Sequence, residues 1–242
     1  MPKSLSEKDL MIAHEKNNAQ FSRRKFLGYA GAATGLMAVL SSCSKEQIQS
    51  TSSAGTVTAD GVDLGTGDIG ILNYAYALEQ LEAAFYTMVV MNPYANIPSN
   101  ELAALTDIRD HEIAHREYFK NVLTSLNAAI PQLEFNFSSI TFSSRMSVLG
   151  TAEAFEDLGV SAYNGAGRLI TGAAYLVQAG KIVSVEARHA AFIRDLNGKN
   201  RFADKSIIDA NGLDLTRKPS EVLPLAAKYI TTPIDASHLP TY

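Results

Sequence analysis

The sequence predicts an all-α fold, a four-helix bundle in which one long connection joins the second helix to the third. Three observations predict it. Apolar residues recur at helical spacing over residues 67–199. Within that stretch one pattern occurs twice. Glu79 is followed seven residues on by Tyr86 and later by Glu112-Ile113-Ala114-His115, and Glu156 seven residues on by Tyr163 and later by Glu186-Ala187-Arg188-His189, with 33 and 30 residues between the two Glu of each half. Between the halves, residues 128–146 contain Pro131 and no hairpin signal, so they read as a crossover able to run the length of a bundle.

The first 43 residues have a different character. Residues 1–20 are polar and read as an unfolded leader. Ser22-Arg23-Arg24-Lys25-Phe26-Leu27 is a twin-arginine export signature, with Arg23 and Arg24 as its pair. The apolar run at 26–40 is too short to span a membrane and is rich in Gly and Ala, as an export segment is. It ends in Leu40-Ser41-Ser42-Cys43, which resembles a bacterial lipobox. By that resemblance Cys43 is the lipidated first residue of the mature chain, and the protein is exported to the cell envelope or periplasm and held at a membrane. The other reading of this stretch is a short buried helix after a basic turn. Residues 44–66, rich in Ser, Thr and Gly, read as a flexible tether.

The first helix is expected over 68–91, with Ala75, Glu79, Glu82, Tyr86 and Val89 on one face and Asn92-Pro93 as its stop. The second runs from Ser99 to about residue 127, with the stripe Leu105, Ile108, Glu112, His115, Phe119, Val122 and Leu126. The third starts near Ser147 and carries Leu149, Ala152, Glu156, Gly159, Tyr163 and Ala166. The fourth carries Ala179, Ile182, Glu186, His189, Ile193 and Leu196 and stops at Gly198. Gly180 looks like the break between the last two. However, an antiparallel pair must bring Glu156 and Glu186 to one height, and a turn at 180 would offset them by tens of ångströms at ~1.5 Å per residue. The turn is therefore placed at 170–172, with Gly180 inside the fourth helix. Residues 200–242, with Pro219, Pro224, Pro233 and Pro240, form a C-terminal extension in which 222–230 reads as one short helix.

Each repeated Glu and His sits in an otherwise mainly apolar stripe. A bare carboxylate buried there must be protonated, paired or bound to a metal. Glu and His at i and i+3 share a helix face, so one ion can use both. Four carboxylates are balanced by two divalent cations. The expected ligands are Glu79, Glu112, His115, Glu156, Glu186 and His189. Superimposing the halves matches Glu79 with Glu156, Glu82 with Gly159 and Tyr76 with Glu153. Glu79 is thus preferred as ligand over Glu82, which is an additional or supporting ligand or a solvated residue, and Glu153 ranks lower. Tyr86 and Tyr163 either hydrogen-bond the ligand carboxylates or pack in the core. A competing motif, His111-Glu112-Ile113-Ala114-His115, matches the HExxH of zinc proteases. Against it, Val185 stands where a second such His would be, and Tyr118 stands where the longer metzincin form needs Gly.

A net charge of −4 offers no basic surface for nucleic acid, and the single cysteine excludes an intrachain disulfide framework. At Leu78-Glu79-Gln80-Leu81-Glu82-Ala83-Ala84-Phe85-Tyr86, Leu158-Gly159-Val160-Ser161-Ala162-Tyr163 and residues 185–192 the chain resembles the ferritin-like superfamily, and within it the exported ferritin-like proteins that include desiccation-related ones. The resemblance spans about 70–198. It implies a carboxylate-bridged pair of Fe or Mn ions acting on peroxide or dioxygen, or oxidising ferrous iron, in a protective role. It also leaves open a non-catalytic stress protein, since one bundle hosts many chemistries. The cysteine-bound iron centre of rubrerythrins is not expected, because Cys43 is the sole cysteine. A lipid-anchored chain is not expected to build a closed storage cage, and a homo-oligomer stays open. Twin-arginine export carries folded proteins, which fits a chain that loads metal before export.

Overall fold

The computed structural model describes residues 54–198 and 200–242. Arg23, Arg24, the apolar run at 26–40, Cys43 and residues 44–53 lie outside the described residues. The elements, in order, are strands β1 (Val57–Thr58) and β2 (Gly61–Asp63), helices α1 (Gly67–Met91), α2 (Ser99–Ser125), α3 (Arg145–Gly167), α4 (Ala173–Asn197) and α5 (Pro219–Ala226), and strand β3 (Ile234–Asp235). Helices α1–α4 form two hairpins, α1 with α2 and α3 with α4, and α1 also packs on α3. Among the described residues no helix is long and apolar enough to cross a membrane.

Helix α1 is the centre of the bundle. It is apolar nearly all round, and its residues from Gly70 to Ala83 are all buried, as an enclosed helix requires. Helix α2 buries only a narrow stripe, Glu101, Leu105, Ile108, Glu112, Phe119 and Leu123, and leaves its other charged residues exposed or half-buried. The crossover at 126–144 is fixed to α1 by two buried amides. Asn73 donates to the carbonyls of Leu64 (3.0 Å) and Ala128 (2.8 Å) and accepts from the Ile130 N–H (3.1 Å). Two turns on, Gln80 accepts from the Leu133 N–H at 2.9 Å and donates to the Pro131 carbonyl. Beyond it Phe85, fully buried, meets Phe137, Phe142 and Phe155.

The turn between α3 and α4 lies at 168–172, and Gly180 is inside α4, as the equal-height argument requires. Asp68, in the first turn of α1, receives the N–H groups of Thr171 and Gly172 at 2.7 Å each and so holds this turn. Helix α4 does stop at Gly198. Its φ of 170° is extended, so the stop owes nothing to a left-handed glycine.

Two expectations need correction. Residues 54–66 are not a free tether: β2 pairs antiparallel with β1 and parallel with β3, and Val62 and Leu64 are buried. The segment is rich in small polar residues, yet Val62 on β2 and Leu64 just after it are buried, and their N–H groups donate to the Pro233 and Asp235 carbonyls. In the C-terminal extension the helix is Pro219–Ala226 rather than 222–230. It starts at a proline preset for the first helical position, and the Glu221 carboxylate accepts the Lys218 N–H at 2.7 Å. Residues beyond it turn away, and Ile230 bridges to Phe135 of the crossover.

The extension is anchored to the second hairpin. Arg194 of α4, 2% exposed, reaches Asp157 (2.6 Å), Asp204 (3.0 Å), Ser206 (2.7 Å) and the Arg201 carbonyl (2.8 Å). At Gly165 the returning chain comes so close that a Cβ would lie 1.8 Å from the Arg217 carbonyl oxygen.

Candidate metal centre

Each bundle helix delivers its part of the site from an interior turn, where backbone hydrogen bonds fix the side-chain origin. Glu79 comes from α1, Glu112 and His115 from α2, Glu156 from α3, and Glu186 and His189 from α4. The four carboxylates are wholly buried. Ligand atoms of Glu79, Glu112, His115 and Glu186 lie within 4.8 Å of one another, and so do those of Glu112, Glu156, Glu186 and His189. Glu112 and Glu186 belong to both groups. Glu79 with His115, and Glu156 with His189, occupy opposite ends of the cluster.

The Nδ1 atoms of both histidines face inward. That of His115 lies 2.9 Å from Glu186 and 3.5 Å from Glu79 and Glu112; that of His189 lies 2.8 Å from Glu112 and 3.6 Å from Glu156. None of these approaches has hydrogen-bond alignment. Glu79 Oε2, both oxygens of Glu112 and of Glu186, Glu156 Oε2 and the two Nδ1 atoms are buried without a hydrogen-bond partner. Orphaned polar atoms of this kind are rare in folded proteins and are expensive to bury. Here they converge on one space, and their donor set of carboxylate oxygen and imidazole nitrogen suits divalent Fe or Mn.

Burial pushes Glu79 up to about 7, raises Glu156, and holds Glu186 well above the usual carboxylate range. Glu112 goes the other way: burial opposes its charge, but the two imidazoles outweigh burial and hold it at about 2. Burial likewise favours neutral histidines, yet the surrounding carboxylates outweigh it and lift His115 to about 12 and His189 to about 10. With protons alone, the cluster keeps its negative charge in check by favouring protonated Glu79, Glu156 and Glu186 and protonated imidazoles around an ionised Glu112.

Tyr86 and Tyr163 lie in the site and cross-link its halves. Tyr86 of α1 donates to Glu156 of α3 at 2.5 Å, and Tyr163 of α3 donates to Glu79 of α1. Burial raises both phenols well above their usual value, which keeps them donors. Glu82 is not solvated: it is 4% exposed, and its Oε1 would lie 3.2 Å from a Cβ on Gly159, so Gly159 leaves the space that Glu82 fills. Burial, then the neighbouring carboxylates, hold Glu82 well above the usual range. Glu153 lies elsewhere, bonded to Arg194, Arg201 and Asn197.

The HExxH reading does not hold. His111 is exposed, lies outside both converging groups, and turns its Nδ1 to His189 Nε2 at 2.9 Å instead of sharing a point with His115. That contact joins residues 78 positions apart, so no local pattern announces it. A second grouping, Asp63, Asp235 and His238, forms where β2 meets β3. It too was invisible in the sequence, because it depends on pairing the two ends of the described chain.

No curated protein matches the chain. The family model described as Ferritin-like domain matches residues 67–199, more than half the chain and the whole of α1–α4. The chain belongs to the ferritin-like domain family, and its bundle encloses a buried Glu/His cluster that can hold metal ions.

Proposed function

We propose that this bundle holds a carboxylate-bridged pair of Fe or Mn ions and serves as a protective redox protein that reduces peroxide or dioxygen or oxidises ferrous iron. The observation that carries the reading is the convergence of the orphaned oxygens and Nδ1 atoms on one buried space. Glu112 and Glu186, common to both groups, would bridge; Glu79 with His115 and Glu156 with His189 would each complete one ion. The ion pair would supply electrons to, or accept them from, a small substrate.

The chain's own residues do the rest. The tyrosine hydroxyls fix the Glu79 and Glu156 carboxylates, so the ligands are oriented before an ion arrives. Complete burial of the four carboxylates excludes bulk water and favours small oxidants over large substrates. The twin-arginine signature and Cys43 support an exported chain held at the cell envelope by a lipid. Labelled fatty acid incorporated in cells by the native chain and lost in Cys43→Ser is the expected result for that part.

The deciding experiment loads the protein with Fe(II) without oxygen, or with Mn(II), and counts ions per chain. Two ions are expected, followed by metal-dependent peroxide consumption, dioxygen uptake or ferrous oxidation. Fewer than one ion per chain rules out the redox reading. Two ions without turnover would mean that the bundle is a stress protein using metal structurally.

A further inference from the structure

We propose that His111 is the positioning residue of His189, taking a hydrogen bond from its outer ring nitrogen and so presenting its inner nitrogen to one ion of the pair. This rests on the metal-centre reading above. The two nitrogens of His189 have opposite surroundings. Nδ1 faces Glu112 (2.8 Å) and Glu156 (3.6 Å), while Nε2 lies 2.9 Å from His111 Nδ1. A neutral imidazole carries one donor and one acceptor nitrogen. If Nδ1 gives its lone pair to an ion, the proton must sit on Nε2, and His111 Nδ1 is the acceptor waiting for it. The rings are also nearly parallel, 6° apart with centroids at 5.2 Å, which limits rotation of His189.

His111 precedes Glu112 in the interior of α2, so the acceptor and a ligand shared by both groups are carried by one rigid turn. The arrangement is one-sided. The second half has Val185 where the first has His111, and among the described residues nothing accepts from the outer nitrogen of His115. The two ions would thus be held by equal ligand sets but unequal support. Loss of such a support costs roughly 10–100-fold in metal affinity.

The test titrates the full chain with Mn(II), and with Fe(II) under anaerobic conditions, by calorimetry and electron paramagnetic resonance. The native chain should bind two ions. His111→Phe keeps a ring beside His189 but no acceptor; one ion should weaken roughly 10–100-fold while the other is unchanged. His111→Asn, whose Oδ1 can stand in for Nδ1, should restore most of the loss. Thermal unfolding of the metal-free variants should match the native chain, because His111 is exposed. Native affinity for both ions in His111→Phe, or an equal loss in His111→Asn, overturns the inference and leaves the metal centre standing. A native chain that binds neither metal overturns both.

Discussion

The two helical hairpins offer the same ligands and otherwise differ. The first, α1 with α2, is built around a helix buried on nearly every side, and it sets Glu82 and His111 beside the cluster. The second, α3 with α4, puts Gly159 opposite Glu82 and Val185 in place of His111, and uses its outer face to anchor the extension through Arg194. The repeat therefore keeps what a metal pair needs and lets the surroundings diverge. One hairpin elaborates the site; the other carries the added chain.

The largest expected effect tests whether the ligands are truly equivalent across the hairpins. Glu112→Ala and Glu186→Ala, which remove a residue common to both groups, should lose both ions, whereas Glu79→Ala and Glu156→Ala should each lose one, counted as metal per folded chain. Equal losses in all four would erase the distinction between shared and terminal ligands.

Next comes the anchor carried only by the second hairpin. Arg194→Ala removes the nearest counter-charge of Asp157 and the link to residues 201–206, and should lower stability in denaturant unfolding by about 1–3 kcal/mol while the metal count of the folded protein stays at the native value.

Acidity should act on the shared centre. Glu79, raised to about 7, is still protonated in the metal-free fold at a pH where the unfolded carboxyl has ionised. Its contribution to metal-free stability is therefore full at low pH and lost as pH rises through about 7. An ion must displace that proton and those of His115 and His189, raised to about 12 and about 10. Metal affinity should thus rise from pH 5 to 8 with net proton release, measurable by calorimetry in buffers of different ionisation enthalpy. Affinity that is flat with pH would mean that the empty centre holds no displaceable protons.

The smallest effect, at Gly180, is read against a second glycine of the same hairpin, Gly165. A Cβ on Gly180 meets nothing within 4 Å, so Gly180→Ala should stabilise α4 by up to about 1 kcal/mol. Gly165→Ala should instead dislodge the extension, because of the close approach of Arg217. Melting curves of the two variants should move in opposite directions.

The fold was readable because each helix repeats its stripe over many turns, and because Glu156 and Glu186 must share a height, which set the last turn without any glycine signal. The ligand cluster was readable for the same reason: its members are charged residues on otherwise apolar stripes, a costly placement that demands an explanation. What could not be read depends on contacts between distant segments. Val62 and Leu64 look like isolated apolar residues in a polar stretch until β3 arrives beside them. Arg194 looks like an ordinary basic residue at a helix end until residues 201–206 fold over it. The alignment of halves did record a Gly opposite Glu82, but only the packed helices show that the missing side chain is the space the carboxylate occupies.

The parallel pairing of β2 with β3 brings the start and finish of the described chain side by side, Val62 against Ile234 and Asp63 against Asp235. It works as a clasp. With it shut, the segment that enters α1 is joined to the segment that follows α5, the Val62 N–H donating to the Pro233 carbonyl and the Leu64 N–H to the Asp235 carbonyl. Each end therefore satisfies backbone groups of the other, so trimming the chain after α5 should loosen the segment before α1 as well.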